Sequence, residues 1–261
     1  MKKVFITLLG TLLIAGADTS WRKTLTKAPA GPYKAKKYCK LHYALSWDGK
    51  INSGNYTIEF DRNRGRSETV KVSSYGRSSG LVRSIFPYDF KAESRYRGNT
   101  LKPVSYKIWE DTREETKDLR GSFSGSKVTI KESAKPKDGG KPHSTTESFQ
   151  HDQLFDLFTS VMYVGSQPLN NGDQINMVLL PFNKPYLAKV KVLGREKHLG
   201  HNCIKLDLKL SKVNSDLTLK NYDKMKSATM WISDDDNRVM VELRSKIFIG
   251  DVRATLKSSE W

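Results

Sequence analysis

Three side chains able to hold a metal fall within six residues, at His198, His201 and Cys203. Zinc takes three or four such ligands in defined geometry, often from paired motifs. No second C-x-x-C or H-x-x-H cluster completes the set, so the segment reads as a strand-entry turn with two exposed histidines. Asp234-Asp235-Asp236-Asn237 offers oxygens to calcium, but an EF-hand loop needs alternating ligands and glycine at its sixth position. The fifth and sixth positions here are Arg238 and Val239, which leaves an acidic hairpin turn. Glu110-Asp111 and Glu114-Glu115 are carboxylate pairs, yet neighbours on a strand point to opposite faces and cannot converge on one substrate. G-x-S-x-G, the Walker-type phosphate loop, H-E-x-x-H and G-x-G-x-x-G do not occur, so hydrolase, phosphate-loop, zincin and dinucleotide chemistries lack their starting residues. No catalytic residue, metal or cofactor is therefore expected. One group remains: Arg62, Arg64, Arg66 and Arg77 present guanidinium forks suited to carboxylate or phosphate, and they are the candidate anion-binding set. A solvated charged turn is the other reading of those arginines.

The formal charge is +17, which favours anionic partners such as acidic glycans or lipid headgroups. The Lys and Arg are spread along the chain, so the same charge also fits a merely soluble surface. Met1-Lys2-Lys3, the apolar run Val4 to Ile14 and Ala15-Gly16-Ala17 have the three parts of a secretory signal peptide over residues 1–17. That apolar run is too short to span a bilayer, and no second segment approaches the roughly 20 residues required. No cysteine follows the signal core, which argues against a lipid-anchored lipoprotein. The expected address is the periplasm, or secretion, and export makes nucleic acid an unfavoured partner. Cys39 and Cys203 would then meet an oxidising compartment and form a candidate disulfide, with two buried free thiols as the alternative.

Residues 18–37 read as an extended leader, followed by a single β-rich domain over 38–261. Tyr38 to Trp47 alternates with period two, Asp48-Gly49 turns, and Asn55 to Phe60 resumes the alternation as a hairpin. Short strands are expected at Glu68–Ser74, Leu81–Ile85, Phe90–Tyr96, Val104–Trp109, Arg113–Phe123 and Lys127–Glu132. Ser133 to Glu147 has no large apolar residue and reads as a flexible excursion. His151 to Val164 carries apolar residues three and four apart, predicting one amphipathic helix capped by Asp152. Strands return at 174–180, 186–195, 202–210, 228–233, 239–249 and 251–257. Ten to thirteen strands of this kind predict a mainly β fold: an antiparallel curved sheet or open half-barrel, covered by one helix.

Four segments resemble one exported bacterial family, domain of unknown function 3108. They are Leu41-His42-Tyr43 through Trp47-Asp48-Gly49-Lys50-Ile51-Asn52-Ser53-Gly54, the helix with Pro168-Leu169-Asn170-Asn171-Gly172-Asp173, Tyr186 to Glu196, and Met230 to Asp235 with Ile249-Gly250-Asp251-Val252. The likeness runs from about Tyr38 to Leu256. It implies an antiparallel β fold in the Gram-negative envelope and carries no activity with it. Two functions stay open: a non-catalytic protein holding an amphipathic or anionic lipid or glycan in the sheet's concave side, and an interaction component of an envelope protein assembly.

Overall fold

Among the residues that the structure describes, the alternation seen from Cys39 onward becomes one sheet of sixteen strands. The computed structural model describes residues 19–33, 38–61, 69–222, 225–247 and 250–261, and only the backbone of Lys226, Ser227 and Ile247. The expected signal segment lies outside the described residues, as do Arg62, Arg64 and Arg66.

β1 (Cys39–Trp47), β2 (Ile51–Asp61), β3 (Thr69–Ser78), β4 (Asp89–Arg97), β5 (Pro103–Asp111), β6 (Glu115–Ser124), β7 (Lys127–Pro136) and β8 (His143–Gln150) form one antiparallel meander. Helix α1 (Gly80–Ile85) interrupts it between β3 and β4. β9 (Leu154–Asp156) then leads into helix α2 (Leu157–Ser166). β10 (Gln174–Leu180), β11 (Tyr186–His198), β12 (His201–Val213), β13 (Leu219–Asn221), β14 (Met225–Ser233), β15 (Met240–Ile247) and β16 (Gly250–Glu260) follow. β9 and β10 pair in parallel; every other strand pairing among the described residues is antiparallel.

The sheet order runs from β8 back to β1, crosses to β16, and continues to β9, so β1 and β16 join the two meanders. The sheet curls into a nearly closed barrel with α2 against its inner face. Two contacts from the β10–β11 loop reach the β7–β8 hairpin at the far end of the sheet. Lys184 Nζ reaches both carboxylate oxygens of Glu147 on β8, the longer contact being 2.6 Å, and Asn183 Nδ2 donates to Glu132 on β7.

The interior divides about α2. Phe158 and Met162 join Val72, Phe90, Tyr106 and Leu119 of the first meander. Tyr163 and Val164 join Met177, Val190, Ile204 and Met230 of the second. Asp156 fixes the helix between them. Its Oδ1 accepts from the Phe158 and Thr159 backbone N–H groups at 2.8 and 3.1 Å, and Thr159 Oγ1 accepts from the Asp156 N–H in return. Such a cap is worth about 0.5–2 kcal/mol. Its Oδ2 accepts from Ser94 Oγ on β4 at 2.7 Å, which ties the helix start to the opposite wall.

Four expectations change here. Leu81–Ile85 is helix α1, entered where Gly80 turns the chain at φ +57°. Both ends of the excursion at 133–147 are strand, joined by a loop over 137–142: β7 and β8 pair from Lys127↔Gln150 to Ala134↔His143. That hairpin extends past the core edge, so its outer half needs no large apolar side chain. The helix starts at Leu157 with Asp156 as cap, while Leu154 and Phe155 are buried in β9. A fully buried strand and a helical turn share the same apolar run, so periodicity could not separate them.

The fourth concerns residues 19–33, which pack as part of the barrel. Ser20–Thr24 is a 3-10 turn whose Trp21 is 5% exposed and donates from Nε1 to the Leu217 carbonyl at 2.9 Å. Tyr163 Oη donates to the Ala28 carbonyl at 2.7 Å, and Tyr33 N–H donates to the Ser166 carbonyl at 3.2 Å. Gly31 is required at this crossing, since a Cβ there would sit 2.0 Å from the Ser166 carbonyl oxygen.

Candidate functional site

Alternation on β1 turns Cys39, Leu41 and Tyr43 toward the barrel interior. The register with β2 sets them opposite Phe60, Ile58 and Tyr56. These six side chains make one wall of a cavity of about 190 Å³. α2 makes the second wall with Leu157, Phe158, Val161, Met162 and Gly165, a helix face at three- and four-residue spacing. The third is the start of β15, with Val239, Met240 and Leu243. Val161 and Trp261 line the cavity and are themselves exposed, which marks its mouth.

Arg238 apart, the described lining residues carry no side chain that is ionised at neutral pH. Burial pushes the Cys39 thiol up to about 11 and Tyr56 up to about 12, and it drives Tyr43 above the usual tyrosine range. Tyr43 Oη is satisfied by the Met240 carbonyl at 2.9 Å.

Arg238 is the one charged side chain among the described lining residues. Its side chain is 5% exposed, and its guanidinium lies 4.2 Å from the Tyr33 ring centroid. Nη1 donates to Asp234 Oδ1 at 2.9 Å, while the buried Nε has no hydrogen-bond partner among the described residues. The Asp234–Asn237 turn places it. Asp235 Oδ1 accepts from Ser233 Oγ and from the backbone N–H groups of Asn237 and Arg238, holding Arg238 at φ +50°. That left-handed backbone is uncommon for a residue other than glycine. The turn was expected as an acidic hairpin turn; its role in presenting Arg238 to an apolar cavity was not foreseen. Only the proximity of an arginine to an Asp-rich turn hinted at it.

The remaining sequence candidates lie elsewhere. Arg77 sits on β3 and pairs through Nε with Asp89 Oδ1 at 3.2 Å, and Arg83 shares that carboxylate at 2.7 Å. Cys39 and Cys203 are buried free thiols, the alternative to the candidate disulfide. β16, β15 and β14 separate their strands, and Cys203 packs with Trp231 and Val241 on the outer face while Cys39 faces inward. His198 is not exposed as expected. Its side chain is 13% exposed, its ring stacks on Trp231 at 4.1 Å, and Nε2 meets Glu242 Oε2 at 2.6 Å. Glu242 is 2% exposed and also accepts from Arg244 Nε and Thr255 Oγ1. These bonds commit His198 to a carboxylate, and no metal-ligating cluster is found among the described residues.

A second depression lies across β2 to β6, where Lys91, Lys107 and Arg120 alternate with Glu59, Glu93 and Asp118. Lys91 Nζ lies 5.0 Å from the Trp109 ring, and Glu93 pairs with Lys71 and Arg95. Mixed charges of this kind describe a solvated face with no net preference for one ion.

The sequence matches the family described as protein of unknown function DUF3108 over residues 41–257. The chain belongs to that family. No functionally curated protein matches it. Among solved structures, this DUF3108 chain is similar to the β-barrel-like DUF1849 protein from Brucella abortus. The TM-score is 0.57 at 11% identity, covering 85% of this chain and 97% of that one. That likeness is one of fold. Two further structures score lower: a protein with a YmcC-like fold from Bacteroides fragilis, and lipoprotein LppX from Mycobacterium tuberculosis. The first has TM-score 0.34 at 9% identity, covering 90% of this chain and 100% of that one. The second has TM-score 0.28 at 11% identity, covering 84% of each. Among the described residues, no helix is long and apolar enough to cross a membrane.

Proposed function

We propose that this DUF3108 protein is an exported, non-catalytic envelope protein that holds an amphipathic ligand between α2 and the β1–β2 wall. The observation that carries the reading is the apolar cavity, open at Val161 and Trp261 and bounded by a helix fixed at both ends. The N-terminal Lys2-Lys3, apolar run and Ala15-Gly16-Ala17 support export.

Size and lining choose the ligand class. Sites for drug-sized molecules run to roughly 300–1,000 Å³. A cavity of about 190 Å³ suits one slender chain, not a multi-chain lipid in full. A glycan would need many convergent hydrogen-bonding groups, whereas these walls are almost entirely aliphatic and aromatic. Lipid is therefore favoured over acidic glycan.

The test is native mass spectrometry on protein purified from a Gram-negative periplasm, followed by solvent extraction. A single-chain lipid released from the wild-type protein, and missing from Met162→Trp, is the expected result. Empty wild-type protein that also fails to take up added single-chain amphiphile would reject the reading.

A further inference from the structure

Resting on that amphiphile reading, we infer that the ligand is anionic and that Arg238 receives its headgroup oxyanion, a carboxylate or a phosphate ester. A guanidinium buried beside an apolar cavity is costly unless it is paired and its N–H groups are used. Arg238 is paired on one side only. Nη1 binds Asp234, and the other oxygen of Asp234 accepts from Arg195 Nε at 2.9 Å. Two guanidiniums thus share one carboxylate, so Asp234 is not reserved for Arg238. Asp235 is occupied by the backbone of its own turn.

The Nε–H is the decisive group. It is buried and without a partner among the described residues, although the residue lines the cavity. Native proteins leave few such donors, and each calls for an explanation. A ligand oxyanion would supply the missing acceptor, and a charge-assisted bond in an apolar surrounding is among the stronger ones. The ring of Tyr33 holds the guanidinium from its face, which leaves the fork's edge for the ligand. The chain of the amphiphile would then run along Met162, Ile58 and Leu41.

The experiment is isothermal titration of the full, delipidated protein with dodecanoate, dodecyl phosphate and dodecanol, each below its micelle concentration. The expected result is that at least one anion binds about tenfold or more tightly than the alcohol. The two anions separate a carboxylate from a phosphate headgroup. Arg238→Gln should remove that preference by weakening the anions far more than dodecanol, and Arg238→Lys should retain part of it. Met162→Trp should block all three probes, which separates cavity binding from adsorption on a basic surface.

Equal affinity for dodecanoate, dodecyl phosphate and dodecanol would overturn the inference and leave the amphiphile reading standing. Anion binding that survives Met162→Trp would overturn it too. Failure of every probe to bind would overturn both. The wild-type comparison needs no variant, so it decides the matter even if Arg238→Gln does not fold.

Discussion

Replacing Trp21 with alanine tests whether residues 19–33 belong to the barrel. Trp21 is 5% exposed and packs in the first-meander core with its indole N–H on the Leu217 carbonyl. A buried tryptophan removes about 150–250 Å² from water. At about 25 cal/mol per Å², that burial is worth roughly 4–6 kcal/mol. The orphaned Leu217 carbonyl adds about 1 kcal/mol, and partial collapse of the gap gives some of it back. The expected loss is about 3–5 kcal/mol, the usual range for buried aromatic-to-alanine changes. For a domain of this size it lowers the melting temperature by roughly 6–20 °C. Urea unfolding followed by far-ultraviolet circular dichroism measures it, provided the slope with urea is unchanged. Trp261→Ala is the control, because that side chain is 56% exposed and should cost about 0.5 kcal/mol or less. A Trp21→Ala protein within about 1 kcal/mol of wild type would refute the claim that the segment is structural.

Three further outcomes are expected. Burial raises the Asp156 carboxyl above its ordinary value, so the folded state holds that proton more tightly than the unfolded chain. Its contribution is therefore full below about pH 4 and is lost as pH rises through the folded value, and the stability advantage of wild type over Asp156→Asn should shrink as pH rises from about 4. Denaturation midpoints across that range check the sign, and an advantage that grows with pH would be the wrong one. Gly121→Ala should cost about 1–3 kcal/mol, because a Cβ there meets the Tyr106 ring at 2.0 Å. The same change should cost less in a Tyr106→Leu background, as read by a double-mutant cycle. Unfolded protein treated with iodoacetamide and no reductant should take up label at both Cys39 and Cys203, while native protein labels slowly because burial pushes both thiols up to about 11. Labelling that requires prior reduction would restore the disulfide.

Strands whose one face meets the core were legible from the sequence. Cys39, Leu41 and Tyr43 alternate with polar partners, and β1 keeps that phase until its register shifts with β2 between Leu45 and Ser46. Elements whose position depends on a distant partner were less so. Leu154 and Phe155 look helical until β10 pairs beside them, and the β7–β8 extension is held by backbone bonds that leave no mark on composition. The cavity was legible only as a concave side beneath a helix. Arg238 was seen as the residue that spoils a calcium loop, because the Nε orphaned against an apolar wall exists only after β1, α2 and β15 have met. Arg62, Arg64 and Arg66 were the more conspicuous basic cluster and lie outside the described residues.

The pairing of β1 with β16 also sets an order of events. His42 and Glu260, 3.0 Å apart across that seam, are separated by 218 positions, and β16 is synthesised after every other strand of the sheet. Until it arrives, β1 has an unfilled edge of backbone donors and acceptors, open to any other extended chain. The first eight strands can zip up as neighbours, but the barrel waits for its central rung. Such late, long-range closure makes folding slow and leaves the half-built sheet dependent on being kept apart from its copies.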